Sequence, residues 1–246
     1  MQFRMNSPQG KSILAMVRGG DYAHPGEESA IMQVAQNLPR ALIRRLLDVG
    51  CGRGGTAQWF HLHGWGTVVG VDIDGPSIEY AQQRYPGIDF VQLDVVQIDA
   101  LNREPFDLAY LFNSFYAFPD QRAALRAIRA ACKPGALLLV YDYTKPTGGR
   151  LPDELGAEIG KPIVLDQVGA WLAESKWQLS SIDDWTDRYV TAYDDLLERF
   201  IRHRGAITTS AGEAWYVYVT GWYGALRQAL ATGSLGGAVL TALAVS

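Results

Sequence analysis

Short apolar runs take turns with segments whose apolar positions recur every three or four residues. The repeat over 27–38, with Ile31, Val34 and Leu38 on one face, predicts a helix that Pro39 closes. Residues 43–49 turn apolar and strand-like and run into glycines at Gly50. The pattern then predicts a helix over 56–63, a strand over 68–71 and a helix over 76–84 with Pro76 in its first turn. Strands follow over 90–93 and 106–112, a helix over 122–131, a turn at Pro134-Gly135, and a strand over 136–141. That last run is apolar throughout, as suits a parallel strand covered on both faces.

The second half has another rhythm. Residues 144–164 carry Pro, Gly and Lys and are expected to form a long loop. A helix is predicted over 165–175, a strand over 177–183, an aromatic-rich helical stretch over 189–230, and a closing strand over 233–246. Residues 1–20 are expected to be loosely structured. Strands alternating with helices argue for a mostly parallel, doubly wound, Rossmann-like α/β sheet of seven strands. Right-handed crossovers put the strand C-termini along one edge, where such sheets bind ligands. The expected organisation is one domain over 1–246, with an N-terminal lid segment over about 1–40. A helical cap over about 186–232 is inserted before the last strand.

Composition narrows the class. With 246 residues and 48% hydrophobic content the chain can fill one core. Net charge is -4, so no basic surplus favours a nucleic-acid partner. Cys51 and Cys132 form neither a disulfide framework nor a metal spacing, so a reduced, cytoplasmic setting and no metal are expected. The N-terminus lacks a signal-peptide core, and no run reaches the ~20 apolar residues of a membrane span.

The densest chemical signal is Asp48-Val49-Gly50-Cys51-Gly52-Arg53-Gly54-Gly55, where a strand ends in glycines that open a helix. Glycine lets the backbone take positive φ and approach a ligand closely. Gly50, Gly52 and Gly55 also satisfy a dinucleotide spacing. The next strand ends in Asp72, about 22 residues past Gly50, where an acid can grip ribose hydroxyls.

These residues carry a family resemblance. Asp48 to Gly54 resembles the first motif of class I S-adenosylmethionine-dependent methyltransferases, and Gly70-Val71-Asp72-Ile73 resembles the second. The run from Phe90 to Val95 is similar to the third, Phe106 to Tyr110 to the fourth strand, and Lys133 to Val140 to the fifth. The likeness covers about residues 40–145, in order. It implies bound S-adenosylmethionine, with Gly50, Cys51 and Gly52 beneath the methionine part and Asp48 in the same set. It further implies Asp72 on the ribose, Asp94 and Val95 around the adenine, and Ile73 on the adenine face. Phe112 and Asn113 then lie near the methionine amino group and the sulfonium.

The acceptor is expected to be a small molecule. The segment after the fourth strand, Phe112-Asn113-Ser114-Phe115-Tyr116, lacks the double proline of base-directed enzymes. Seven Trp and twelve Tyr stand out, and Tyr189, Tyr193, Phe200, Trp215, Tyr216, Tyr218, Trp222 and Tyr223 fall in the inserted helices. Aromatic faces attract a cationic amine by about 0.5–2 kcal/mol each. Asp184, Trp185, Tyr189, Tyr193, Trp222, Tyr22 and Tyr116 are the candidate substrate residues. In the glycine-flanked stretch 18–26, Arg18 is a candidate for the methionine carboxylate, and Tyr22 or His24 for facing the substrate. Tyr116, His24 and Asn113 are the candidate catalytic residues. The layout resembles amine and natural-product methyltransferases, including the glycine/sarcosine and dimethylglycine type. That implies an amine nitrogen acceptor, with O- or C-methylation as the alternative. The chain is expected to act as a monomer or homodimer. A nicotinamide oxidoreductase and an inactive cofactor-binding protein are the competing classes.

Overall fold

The structure is a computed structural model that describes residues 3–156 and 158–245. Its strands are β1 (Arg45–Val49), β2 (Thr67–Asp72), β3 (Asp89–Gln92), β4 (Phe106–Phe112), β5 (Cys132–Lys145), β6 (Ile163–Val164), β7 (Trp177–Asp184) and β8 (Gly236–Ala244). They lie in the order β3-β2-β1-β4-β5-β8-β7, with β6 added on β5. Only β8 runs against its neighbours, pairing antiparallel with both β5 and β7. Strand order reverses between β1 and β4, which makes the carboxyl ends of those two strands the switch point of the sheet.

The helices are α1 (Pro8–Arg18), α2 (Glu27–Ala35), α3 (Gly55–Leu62), α4 (Gly75–Arg84), α5 (Gln121–Ala131), α6 (Asp153–Gly156), α7 (Leu165–Glu174), α8 (Thr186–Arg202), α9 (Arg204–Ala211) and α10 (Glu213–Ala231). Helix α1 corrects the expectation of a loose N-terminal stretch. Ser7 Oγ accepts the Gly10 N–H, Pro8 sits in the first turn, and Gly19 closes the helix at φ 70°. Those are ordinary start and stop signals, and Ile13, Leu14 and Val17 give the helix a buried face. The expected loop over 144–164 is likewise interrupted: β5 continues to Lys145, and α6 and β6 follow. Around Pro134-Gly135 the pairing of β4 with β5 shifts register, with Gly135 at φ 77°, so the expected turn is a bulge inside a longer strand. The expected single helical stretch is three helices. The closing strand starts at Gly236, and Ser246 lies outside the described residues, as do Met1 and Gln2.

Side-chain alternation sorts the sheet into two faces. Val49, Ala109, Leu111, Leu138 and Val140 join the aliphatic core under α5 and α7. Leu46, Tyr110, Phe112, Tyr141 and Tyr143 join a second core with α1, α2, α3 and α8–α10, and Tyr189, Tyr193, Phe200 and Tyr223 come to meet them. Tyr110, Phe112, Tyr141 and Tyr143 therefore share the face that the inserted helices cover.

Candidate active site

The glycine loop divides by what each glycine faces. A Cβ at Gly50 would lie 2.4 Å from Ser114 Cβ, and one at Gly54 would lie 2.6 Å from Phe90 Cζ. Gly55 touches the backbone carbonyl of Asp21 in the same way. Those three let the chain pack against itself. Gly52, at φ 53°, has nothing within 4 Å of its Cβ position among the described residues. It is the one glycine of Gly50, Gly52, Gly54 and Gly55 that opens onto free space.

Asp72 anchors this loop. One carboxylate oxygen accepts the Gly52 N–H at 2.8 Å and the other accepts the Asp74 N–H at 2.9 Å. A carboxylate offers about four lone-pair directions, so capacity for a diol remains. Ile73 beside it is 68% exposed, a large apolar side chain left open at the edge of the site. Asp94 caps the turn that follows β3, accepting the Val96 N–H at 3.2 Å, and Val95 is buried. Cys51 is buried, its Sγ turned toward Gly70 rather than the open side, and burial pushes its thiol well up.

Two buried groups at the switch point lack partners. Asp48 pairs in register with Tyr110, and its Oδ2 has no hydrogen bond. Burial pushes its carboxyl up to about 8; Tyr110 opposes that shift and the negative charge of Asp72 adds to it. Asn113 sits at φ 49°, a conformation that asparagine tolerates better than most residues. Its Oδ1 accepts the Tyr189 hydroxyl at 2.9 Å, while its Nδ2 is buried without an acceptor. A buried carboxyl with one oxygen unpartnered, beside the Asp72 carboxylate, ionises readily when a cationic group arrives, and an unpaired amide N–H suits an oxygen. Together with the open Gly52 cradle, these residues fit a nucleoside bearing an ammonium and a sulfonium.

Beyond Asn113 lies a cluster of tyrosines. Tyr189 crosses Tyr141 at 4.9 Å and Tyr143 at 5.6 Å, Tyr143 crosses Tyr116 at 5.2 Å, and Tyr193 tilts against Tyr223 at 5.6 Å. The Tyr143 and Tyr193 hydroxyls bond each other. Burial pushes every one of these phenols above its ordinary range, so they are hydroxyls at neutral pH. Asp142, fully buried between Tyr141 and Tyr143, accepts backbone N–H groups of Phe115 at 2.7 Å and Tyr143 at 2.6 Å. It ties the end of β5 to the turn that carries Asn113 and Tyr116. Burial raises its carboxyl to about 7 against the pull of those N–H groups. Sequence reasoning passed over Asp142 and Tyr143, although Tyr141-Asp142-Tyr143 stands at the carboxyl end of a central strand.

The structure brings some expected residues to this cluster and leaves others outside it. Tyr116, Asn113, Phe112, Tyr189 and Tyr193 belong to it. His24 packs on Phe112 at 4.9 Å, but Thr56 Oγ1 and the Pro25 carbonyl engage its two ring nitrogens. Burial first, and then the nearby Arg18 charge, drive it down to about 3, so it is neutral. Tyr22 bonds Glu28 at 2.9 Å at the edge of the same stretch. Trp185 is buried against Tyr141 with Arg188 4.1 Å over its ring, and Trp222 crosses Tyr223 at 4.8 Å with its Nε1 unpartnered. Asp184 is not in the cluster. It is exposed, accepts the Thr186 N–H at 2.8 Å where β7 passes into α8, and lines a surface groove with Gln33 and Asn37. Arg18 is buried, and the groups around it are Glu27, Tyr143, Tyr193 and Tyr223.

Helix α1 lies across the loop: Lys11 Nζ meets Asp74 at 2.6 Å and Ser77 at 2.8 Å, and Arg53 reaches the Pro8 carbonyl and Ser12. Among the described residues no group of His, Cys, Asp and Glu could hold a metal ion, and no helix is long and apolar enough to cross a membrane.

Known proteins share this architecture. A phosphoethanolamine N-methyltransferase 2 of Haemonchus contortus superposes with a TM-score of 0.88 at 17% identity, over 98% of this chain and 58% of that one. A putative sarcosine dimethylglycine methyltransferase of Galdieria sulphuraria does so with a TM-score of 0.82 at 14% identity, over 96% and 98%. In sequence, the 27-O-demethylrifamycin SV methyltransferase of Amycolatopsis mediterranei is 26% identical over 74% of this chain and 75% of its own length. Phosphoethanolamine N-methyltransferase 1 of Zea mays is 25% identical over 87% of this chain. The chain spans about half the length of several such relatives, 44% of the maize protein and 50% of an O-methyltransferase of Pyrenophora dematioidea. The family described as a methyltransferase domain matches residues 22–196 of the 246, and this chain belongs to that family.

Proposed function

We propose that this chain binds S-adenosylmethionine and transfers its methyl group to the nitrogen of a small-molecule amine. The observation that carries the reading is the juxtaposition at the switch point: the open Gly52 cradle, the Asp72 carboxylate holding it, and the unpartnered Asp48 Oδ2 and Asn113 Nδ2. When bound, the cofactor supplies an electrophilic methyl on a sulfonium. The chain's own part is to hold and orient the two reactants and to exclude water, and good alignment can supply about 7–11 kcal/mol.

An amine acceptor follows from what the tyrosine cluster lacks. A hydroxyl acceptor needs a base. Among the described residues, burial and the Arg18 charge leave His24 a poor proton acceptor with both nitrogens bonded, Asp142 is taken up by backbone N–H groups, and the phenols keep their protons. A neutral amine attacks with its own lone pair; where it enters as the cation drawn by the ring faces, it first gives its proton to water, as an amine can and an alcohol at neutral pH cannot readily do. Helix α1 is read as the lid and α8–α10 as the cap of a single domain. The acceptor is a small molecule rather than nucleic acid, and the cytoplasm suits the two free thiols.

Calorimetric titration tests the cofactor. S-adenosylhomocysteine should bind and NAD should not; heat with NAD alone would favour an oxidoreductase. Asp72→Ala should weaken S-adenosylhomocysteine by roughly 10- to 100-fold, the worth of charged hydrogen bonds at about 1.5–3 kcal/mol. Unchanged affinity would remove Asp72 from the ribose role. Release of S-adenosylhomocysteine across a panel of amines and alcohols then reads the acceptor class.

A further inference from the structure

Arg18 carries more buried hydrogen-bonding capacity than the protein satisfies. Its Nη1 donates to the His24 carbonyl and to Glu27 Oε1, the latter at 2.7 Å. Its Nε and Nη2 are both buried and have no hydrogen-bond partner among the described residues. Those two nitrogens form one edge of the guanidinium, the fork that grips a carboxylate or phosphate with two parallel bonds. Tyr143, Tyr193 and Tyr223 stand around the group; Tyr223 leans toward the guanidinium, but neither Nε nor Nη2 has a partner at hydrogen-bond distance among the described residues. A buried donor pair left unmade is costly, and a charged one more so.

The local charge points the same way. Glu27 is shared: its second oxygen meets Arg199 Nη2 at 3.1 Å. One carboxylate thus faces two guanidiniums, and Arg199 finds its other partner, Asp195, at 2.7 Å on a more exposed side. His24 contributes no charge. Glu27 is held at φ 43°, a conformation costly for a non-glycine residue. Arg18 thus has only a shared half of Glu27 as its ionic partner, and its open edge is free for a further anion.

We propose that the Nε–Nη2 edge of Arg18 seats an oxyanion of the methyl acceptor, a carboxylate or a phosphomonoester, while the amine of the same molecule reaches toward Asn113. The hydroxyls of Tyr189, Tyr143 and Tyr193 lie between the two ends, Tyr189 bonded to Asn113 and Tyr143 bonded to Tyr193. The acceptor is then a small amine that also carries an anion. This rests on the methyl-transfer reading above and specifies its acceptor.

The test uses the full chain saturated with S-adenosylhomocysteine and probes it with inorganic phosphate and, separately, with acetate. One of the two should raise the thermal midpoint saturably, phosphate pointing to a phosphomonoester and acetate to a carboxylate. Arg18→Lys keeps the charge but loses the fork. It should weaken that anion at least tenfold and leave S-adenosylhomocysteine affinity within about twofold. Should the lysine variant fail to fold, the Nε–H nuclear magnetic resonance signal of Arg18 in the wild-type protein reads the same contact as anion is added. Two results overturn the proposal: no response to either anion, or a tenfold loss of S-adenosylhomocysteine affinity in Arg18→Lys, which would assign the fork to the cofactor's carboxylate. Failure of the methyl-transfer reading looks different, because S-adenosylhomocysteine would then give no heat with the wild-type protein while an anion could still titrate.

Discussion

Gly52→Val should abolish measurable S-adenosylhomocysteine binding, a loss of at least 100-fold or about 2.7 kcal/mol, while the fold persists. The Cβ position of Gly52 has no heavy atom within 4 Å among the described residues, so a side chain there extends into the room a ligand needs. The fold bears only the left-handed backbone at φ 53°, roughly 1–2 kcal/mol for a side chain there and a few degrees of thermal midpoint. Gly54→Val is the informative contrast. Its Cβ would meet Phe90 Cζ at 2.6 Å and Tyr85 Cδ2 at 3.2 Å, so it should unfold or strongly destabilise the chain by overpacking. The pair separates a glycine kept for a ligand from a glycine kept for packing. Calorimetry with S-adenosylhomocysteine and a thermal melt decide it, and Gly52→Val binding within threefold of wild type would deny the cradle its role.

The same contrast explains what could be read before the structure was known. The alternation of buried strands with helices identifies β1 to β5, because a strand covered on both faces must be apolar and local pattern carries that information. Asp48, Gly52 and Asp72 stand out for a related reason: they are close in sequence to strand ends, and the sheet topology alone brings strand ends together. Residues that meet only through packing are harder. Arg18 and Glu27 face each other because α1 and α2 fold back over the tyrosine face, and no spacing announces that. Asp142 follows the apolar run 136–141 of β5, and backbone partners for it are supplied by a turn about 26 residues earlier. Asp184 misled because an acid next to a tryptophan reads as an amine contact. The last three residues of β7, Ile182, Asp183 and Asp184, are all exposed, and the chain turns inward only at Trp185, where α8 begins. Helix α1 was legible in its Ser-Pro start and Gly-Gly end, signals that an emphasis on apolar periodicity passes over.

A site built around unpaired buried groups predicts that function and stability oppose each other. Asp48→Asn should stabilise the ligand-free protein at pH 8 while weakening S-adenosylhomocysteine tenfold or more. The wild-type carboxyl is fully buried with Oδ2 unpartnered, and its pKa stands near 8, against about 3.9 for an unfolded aspartate. Between those values the folded chain binds more protons at this position than the unfolded chain, so stability falls as pH rises through that window. Asp142, raised to about 7, acts in the same direction. His24, lowered to about 3, acts oppositely between pH 3 and its unfolded value of about 6.5. Replacing Asp48 by the neutral amide removes its share of the decline. The gain should be about 1–3 kcal/mol at pH 8, or roughly 3–10 °C in thermal midpoint, and should shrink toward zero near pH 4. Melts of both proteins without ligand from pH 4 to 9 give the two curves. A variant less stable than wild type at pH 8 would mean that the native carboxylate is ionised and well partnered. The affinity loss has the same origin, since the unpaired oxygen that burdens the empty fold is the one left available to a cationic ligand.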